Sequence, residues 1–179
     1  HLLRHVRSYS VKTRTLDDIF EMEWKDAWSA RSLGLIGIMA LTWPITRLTR
    51  VSPWAMKTVV ALENRVDTPR VLESFFDKYR PDAVVLTSMG VVDYDHHVIR
   101  EAKRWGTRVI SYVLGWDNPT VRGLGVNLSD QYIVWSDVMK EELVKLHRVP
   151  ADAIAVDGVP HYDHYANGKT KIGSKEWLT

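Results

Sequence analysis

The chain has 179 residues, of which 45% are hydrophobic and 26% charged, so it can bury the core of a domain of ordinary size. A formal net charge of +2 without a dense Lys/Arg tract gives no sign of a nucleic-acid partner. The chain has no cysteine, which excludes disulfides and thiolate metal sites and is typical of a reducing cytoplasm.

The first part of the chain, to about residue 64, reads as helices without a clear strand. Thr15 followed by Asp17 and Asp18 is typical of a helix start. A threonine hydroxyl can cap the first turn, and carboxylates are favoured near the positive end of the helix dipole. We therefore predict a helix that begins with Thr15 as its cap.

The apolar run 33–48 is shorter than an ordinary membrane span of about 20 residues, and Pro44 interrupts it, so we predict a buried or interfacial helix. No acidic residue occurs from residue 27 to residue 62. The same interval contains basic residues and tryptophans, namely Arg31, Arg47, Arg50, Lys57, Trp28, Trp43 and Trp54. Such a composition can mark a helix that rests on anionic lipid, and it can equally belong to a helical layer packed onto a sheet.

The second part of the chain alternates between short apolar runs and helical patterns. The strand-like runs are 83–88, 107–113, 131–136 and 153–158. Two helical patterns lie between them, and the second is predicted to start at a Ser136 cap and end near His147. Near-continuous apolar strands in this order predict a parallel sheet covered by helices on both faces.

Two helices of this part have a predicted buried face. The helix after Pro69 is expected to bury five residues at helical spacing, Val71, Leu72, Phe75, Phe76 and Tyr79. The helix that begins near Asp93 is expected to bury Tyr94, Val98, Ala102 and Trp105.

The fold class is therefore α/β, with a Rossmann-like parallel sheet preceded by a mostly helical N-terminal segment. We divide the chain into a helical segment (1–66), a Rossmann-like domain (67–165) and a linker (166–179) toward a further domain. The chain starts at His1 without a signal-peptide pattern, and its end carries no stop-like feature, so we expect truncation at both ends.

Ligands of open parallel sheets bind beyond the carboxyl ends of the strands, because the loops that follow the strands gather there. Each predicted strand runs into a tract that is richer in glycine and polar groups than the strand itself. The candidate residues in these tracts are Ser88, Met89, Gly90, Trp116, Asp117, Asn118, Thr120, Arg122, Ser136, His161 and Asp163. Pro119 restricts Asn118 to an extended conformation, so we expect a stiff loop after the second strand.

Two His/Asp-rich segments, 93–97 and 161–164, invite a metal interpretation. His96 and His97 point about 100° apart on a helix, so the first segment is better explained as a capped helix start. The second is better explained as a polar loop that leads out of the domain. Gly123 and Gly125 lack the third glycine and the following helix of a phosphate-binding loop. We predict no metal site.

Three segments in order resemble a known family. They are "YRPDAVVLTSMG", then "GWDNPTVRG", then "QYIVWSDVMKEELVKLHRVPADAIAVDGVPHYDHY". Together they resemble the N-terminal half of bacterial GT-B glycosyltransferases of the surface-carbohydrate and capsule biosynthesis type, which are related in fold to CDP-glycerol glycerophosphotransferases. The resemblance covers residues 79–165, and Gly115 stands where the family pattern has Ser or Thr.

The resemblance implies that a C-terminal nucleotide-binding domain, absent from this chain, would hold a nucleotide-sugar donor. The present chain would present the acceptor, a glycan or a lipid-linked molecule, and would be inactive alone. No cofactor is required in that family type. The resemblance implies a cytoplasmic location, and the first half of the chain adds an expected peripheral contact with a membrane.

Glycosyl transfer needs a base for the acceptor hydroxyl and stabilisation of the departing diphosphate. We expect Asp117 or His161 to act on the acceptor hydroxyl, Trp116 to stack on a sugar face, and Asn118 and Thr120 to bind its hydroxyls. Arg122 would approach an anionic acceptor or the diphosphate.

Three alternatives remain open at this point. Asp117 and Asn118 could form an Asx-type clasp that only fixes the strand end. The chain could belong to an enzyme like a UDP-sugar 2-epimerase, which would bind a nucleotide sugar without a separate acceptor. It could also be a membrane-surface or interaction module without catalysis, with the first half as its functional part.

Overall fold

A computed structural model of the chain describes residues 2–66, 70–90, 93–123 and 129–163, except for the side chains of Asp93 and His161. The helices in these ranges are α1 (Leu2–Ser8), α2 (Arg14–Ser29), α3 (Leu33–Val51), α4 (Pro53–Val66), α5 (Glu73–Tyr79), α6 (Asp93–Trp105), α7 (Asn118–Val121) and α8 (Asp137–His147). Two short 3-10 turns follow at Ala151–Ala153 and Pro160–Tyr162.

Four strands form one sheet, namely β1 (Ala83–Leu86), β2 (Arg108–Tyr112), β3 (Gln131–Val134) and β4 (Ile154–Val156). They lie in the order β1-β2-β3-β4, and all neighbouring pairs are parallel. The predicted α/β class is confirmed, as is the helical segment that precedes the sheet. Each strand falls within its predicted run and is shorter than it at one or both ends.

One face of the sheet carries the core of the α/β part. Burial alternates along β2 and the residue that follows it: Val109, Ser111 and Val113 are fully buried, whereas Ile110 and Tyr112 are half-buried. Under the β1 side, α5 and α6 contribute Phe76 and Ile99. Under the β4 side, α8 contributes Leu143. The helices that connect successive parallel strands therefore cover this face.

The second face of the sheet is only partly covered by the described residues. Val85 is 64% exposed there, and Ile110, Tyr112 and Ile133 are half-buried. The prediction of helices on both faces holds for one face only in the part of the chain that the structure describes. Alternation of side chains across a strand predicts two faces, but it does not predict which helices pack on each.

Helices α1 to α4 pack on one another as a helical layer with its own core, which includes Phe20, Met39 and Met56. A buried ion pair joins α1 to α4, because Arg7 Nε lies 2.9 Å from Glu63 Oε2 and both side chains are almost fully buried. Arg7 Nη2 also lies 2.8 Å from His96 Nε2 on α6. The layer is thus attached to the helices of the α/β part through polar contacts.

The structure differs from the predictions at one helix cap and on two helix faces. Thr13, not Thr15, caps α2, because Thr13 Oγ1 accepts a hydrogen bond from Leu16 N at 3.2 Å. α3 continues through Pro44, which is exposed.

The predicted buried faces of α5 and α6 are only partly correct. Phe76 is buried on α5, whereas Val71, Phe75 and Tyr79 are more than half exposed. On α6, Ala102 is buried, but Tyr94 is 61% exposed. Helical spacing alone did not predict which of two adjacent faces of each helix is buried.

Helix α3 covers the whole apolar run 33–48. In the part of the chain that the structure describes, no helix is both long enough and apolar enough to cross a membrane.

Candidate functional site

The carboxyl ends of all four strands lie along one edge of the sheet, because every neighbouring pair is parallel. The tracts that begin at Ser88, Trp116, Ser136 and Gly158 therefore leave the sheet at this edge, as the sequence predicted. The described strands follow one another in sequence order without a reversal, so a crevice at this edge must be built by the loops.

The loop after β2 is attached to α8. Pro119, in the short helix α7, is buried, and its carbonyl oxygen lies 2.7 Å from His147 Nε2 at the end of α8. Burial lowers the pKa of His147 to about 4, and the contact with Pro119 opposes this only in part. The imidazole is therefore neutral at neutral pH, and its Nε2–H donates to the carbonyl.

The same loop is attached to the helical layer at two further points. Thr13 Oγ1, which accepts the capping bond of α2, donates to the carbonyl of Thr120 at 2.7 Å. The backbone of Ser8 at the end of α1 lies so close to Gly123 that no Cβ atom would fit between them. Contacts with α1, α2 and α8 thus hold the loop. Asn118 is the first residue of α7, so the extended conformation that was predicted for it before Pro119 is wrong.

This loop presents Trp116 and Asp117. The indole of Trp116 is 69% exposed. The carbonyl of Asp117 accepts the amide protons of Thr120 and Val121, but its side chain makes no capping hydrogen bond to α7. The carboxylate is therefore not used by the helix start, which argues against the Asx-type clasp as its role.

Asn118 and Arg122 follow these residues in the chain. The side-chain amide of Asn118 folds back over Gly115, where an added Cβ would come within 2.7 Å of its oxygen. The Ser or Thr that the family resemblance leads one to expect at position 115 would need that space. Arg122 is exposed and lines a pocket of about 240 Å³ between the loop and the helical layer, which Glu23 also lines.

A second polar group lies at the same edge, where β2 and β4 end. Tyr112 Oη donates to the carbonyl of Gly158 at 3.2 Å. The pKa of Tyr112 is raised above its usual value, mainly because the phenol is partly buried. The negative charges of the nearby Asp157 and Asp163 carboxylates raise it further. The phenol is therefore a neutral hydroxyl beside two carboxylates, and Gly158 adopts a positive φ of 74° at this turn.

The aromatic side chains beside this group add an apolar surface. The ring of Tyr162 stands edge-on to Trp135, with ring centroids 6.2 Å apart, and Tyr162 is 51% exposed. The backbone of His161 lies in the same 3-10 turn, while its side chain falls outside the described part. Asp163 is exposed and ends that turn.

Four predicted site residues, Ser88, Met89, Gly90 and Ser136, are buried or make hydrogen bonds within the fold. Ser88 Oγ donates to the carboxylate of Asp95 and accepts from the amide of Gly90 at 3.1 Å. Gly90 has a φ of 77° and is buried. Met89 is 3% exposed within the core, so its side chain cannot reach a ligand at the surface, and we omit it from the proposed site.

Ser136 caps α8, as predicted, because its Oγ accepts from Met139 N at 3.4 Å. Among the described residues, no group of three or more His, Asp or Glu side chains could hold a metal ion.

Two residues of the site were not singled out from the sequence. Tyr112 is the last residue of β2 and lies on the face opposite the core. An aromatic hydroxyl at the carboxyl end of a strand is the signal that could have identified it. His147 could not have been linked to Pro119 from the sequence, because 28 residues separate them along the chain.

No protein-family model matches the chain, and no match was found among curated proteins or among solved structures. The resemblance to glycosyltransferases therefore stays a prediction from the motifs of residues 79–165.

Proposed function

We propose that this chain is the acceptor-side half of a GT-B glycosyltransferase. The enzyme would transfer a sugar or a polyol phosphate from a nucleotide-activated donor to a cell-surface glycan or a lipid-linked acceptor. A companion domain would hold the donor, and the acceptor would bind at the carboxyl edge of the sheet.

The observation that carries the proposal is the attachment of the loop after β2. Three contacts hold this loop from α1, α2 and α8, while Trp116 remains 69% exposed. Exposure of a large aromatic ring on a rigid support is unfavourable for stability alone and is typical of a stacking platform for a ligand. Sugar rings present apolar C–H faces that fit such a platform.

The polar groups at the same edge support a role in binding a polyhydroxylated acceptor. Asp117, Asp157 and Asp163 offer acceptors for sugar hydroxyls, and Tyr112 offers a neutral hydroxyl. Asn118 adds a carboxamide that lies over Gly115, the residue before Trp116. Directional donors and acceptors give a bound ligand orientation as well as affinity.

In the reaction that we propose, the acceptor oxygen forms a bond to the anomeric carbon while the bond from that carbon to the diphosphate breaks. The proton of the acceptor hydroxyl moves to the carboxylate of Asp117, or to His161. The diphosphate leaves with the bonding electron pair, and its charge would be stabilised by groups of the companion domain.

Binding of soluble oligosaccharides to the 179-residue chain tests the acceptor site directly. We expect ligand-detected NMR to identify saccharides that bind, and Trp116→Ala to weaken their binding by about tenfold, on the order of one lost aromatic stacking contact. Trp54→Ala is the matched control, because Trp54 is 76% exposed on α4 and away from the sheet edge. Equal effects of the two substitutions would contradict the proposal.

The reaction type is tested with the companion domain present. We expect consumption of the nucleotide sugar to depend on an added acceptor. Conversion of the nucleotide sugar without any acceptor would instead indicate the epimerase-type reaction.

A further inference from the structure

Helix α3 presents its four leucines, Leu33, Leu35, Leu41 and Leu48, outward. The residues that face the interior include Thr42, Thr46 and Thr49, each no more than 1% exposed. Leu33 and Val51, at the two ends of the outward face, are 82% and 79% exposed. This arrangement inverts the usual pattern of a surface helix, and an apolar surface of this kind commonly marks a binding site.

A groove of about 710 Å³ runs along one edge of this outward face, between α2 and α3. On the α3 side it is lined from Ala40 to Val51, a distance of about 16 Å at the helical rise. Its walls are mainly apolar, and it opens to solvent. The groove lies in the helical layer and shares no residue with the sheet-edge site.

The floor of the groove is aromatic. Phe20 of α2 stacks on Trp43 of α3, with ring centroids 4.6 Å apart and an angle of 23° between the rings. Trp24 lies along the same wall, 6.5 Å from Phe20. The guanidinium of Arg47 lies 4.5 Å from the centre of the Trp43 ring. This floor combines apolar area with a cation at its edge.

A buried arginine lies at one end of the groove. The side chain of Arg50 is 9% exposed, its Nε donates to the carbonyl of Tyr9 at 2.8 Å, and its Nη1 donates to Asp17 at 2.6 Å. Its Nη2 is buried and has no hydrogen-bond partner among the described residues. A buried guanidinium nitrogen without an acceptor is unfavourable, and the guanidinium adds a positive charge to the lining of the groove.

The other charges of the groove also favour an anion. Lys12 and Arg47 line the groove, while Asp17 is already paired with Arg50. Lys25 and the exposed carboxylate of Glu21 also line the groove. The lining thus has four cationic and two acidic side chains, so the groove carries a net positive charge.

We propose that this groove binds an amphiphile with one aliphatic chain and an anionic head, either a carboxylate or a phosphate. The chain lies on Phe20, Trp24 and Trp43, and the head lies near Arg50, Arg47 and Lys12. An aliphatic chain fits the mainly apolar walls of the groove better than the polar sugar and base of a nucleotide. This site goes beyond the proposed transferase function and does not depend on it.

Calorimetric titration of the 179-residue chain with dodecyl phosphate and with dodecanoate, each below its micellar concentration, tests the proposal. We expect both to bind, and we expect dodecyltrimethylammonium and uridine monophosphate to bind at least about tenfold more weakly, a difference of about 1.4 kcal/mol. Equal binding of the anionic and cationic amphiphiles, or preferential binding of the nucleotide, would overturn the proposal.

Two substitutions locate the ligand in the groove. Ala40→Trp fills the groove from an exposed helix position, and Arg47→Ala removes the exposed cation beside Trp43. We expect each to weaken binding of dodecyl phosphate by about tenfold or more. Arg14→Ala is the control, because Arg14 is 96% exposed on α2 and does not line the groove. Circular dichroism verifies that the variants fold, and a loss in all three variants alike would overturn the assignment to the groove.

Vesicle co-sedimentation distinguishes a free amphiphile from a bilayer lipid as the source of this chemistry. Vesicles of phosphatidylcholine are compared with vesicles that also contain phosphatidylglycerol. Binding to the anionic vesicles that Ala40→Trp abolishes assigns the ligand to the bilayer, whereas binding of dodecyl phosphate without vesicle binding assigns it to a free amphiphile. Failure of both the soluble amphiphiles and the vesicles to bind overturns the proposal and leaves the sheet-edge function untouched.

Discussion

The imidazole of His147 lies 2.7 Å from the carbonyl of Pro119 and thereby joins two of the sequence segments on which the family resemblance depends. His147 ends α8 in the segment "LHRVP", and Pro119 lies in "GWDNPT". The contact explains the histidine at position 147: its neutral, buried imidazole donates a hydrogen bond to the carbonyl of Pro119, which would otherwise be buried without a partner.

This contact predicts a pH dependence of stability. His147 titrates near 6.5 in the unfolded chain, whereas burial lowers its pKa to about 4 in the folded protein. Between these values the unfolded chain binds a proton and the folded protein does not. The free energy of unfolding therefore falls as the pH drops from about 6.5 to about 4, by up to roughly 3 kcal/mol from this residue.

Urea denaturation at several pH values measures the effect. His147→Gln keeps a side-chain N–H donor but does not titrate, so its stability should depend less steeply on pH than that of the unchanged protein. Burial lowers the pKa of His96 as well, to about 3, and this residue remains in both proteins. Parallel pH profiles of the two proteins would contradict the assignment to His147.

Gly123→Ala should detach the loop from the helical layer. A methyl group at this position would collide with backbone atoms of Ser8, which cannot rotate away. We expect a loss of roughly 1 to 3 kcal/mol in the free energy of unfolding. Gly37→Ala is the matched control, because nothing lies within 4 Å of its added Cβ on α3, and there we expect a gain of roughly 0.5 to 1 kcal/mol.

Glu63→Gln should destabilise the attachment of α1 to α4. The substitution removes the negative charge that lies 2.9 Å from Arg7 Nε, and breaking a buried pair in this way costs up to about 3 to 5 kcal/mol. Thermal denaturation measures the loss. Glu141→Gln on α8 removes the exposed pair with Lys145 and should leave the melting temperature unchanged within error.

Ser136→Ala distinguishes a structural role from a role in ligand binding. Loss of the α8 cap should lower the free energy of unfolding by about 1 kcal/mol. If the cap is the whole role of Ser136, saccharide binding measured by NMR is unchanged. A loss of binding larger than the loss of stability would restore Ser136 to the substrate-binding residues that the sequence predicted.

Asp117→Asn tests the catalytic assignment in the enzyme that includes the companion domain. We expect turnover to fall by about tenfold or more, because one acid–base contribution is lost while the shape of the side chain is kept. Asp152→Asn, at an exposed position in the turn before β4, is the control. Unchanged turnover of Asp117→Asn would leave His161 as the candidate base.

For the candidate site, the sequence predicted where the loops lie but not the burial and contacts of every side chain in them. The positions of Trp116, Ser136 and Gly158 at one sheet edge could be predicted, because parallel strands place all their following loops on the same side. The burial of Met89 could not, since an apolar residue after a strand can face either the core or the cleft. The role of Tyr112 required its contact with Gly158, 46 residues away in the chain.

The fold divides in a similar way. Local patterns of apolar residues and helix caps were sufficient for the α/β class, the four strands and the start of α8 at Ser136, because these features depend on neighbours within a few residues. Two outcomes were decided by tertiary packing: that α3 turns its threonines inward and its leucines outward, and that helices cover only one face of the sheet in the described part. Both depend on contacts between segments that are distant along the chain, and no local pattern contains that information.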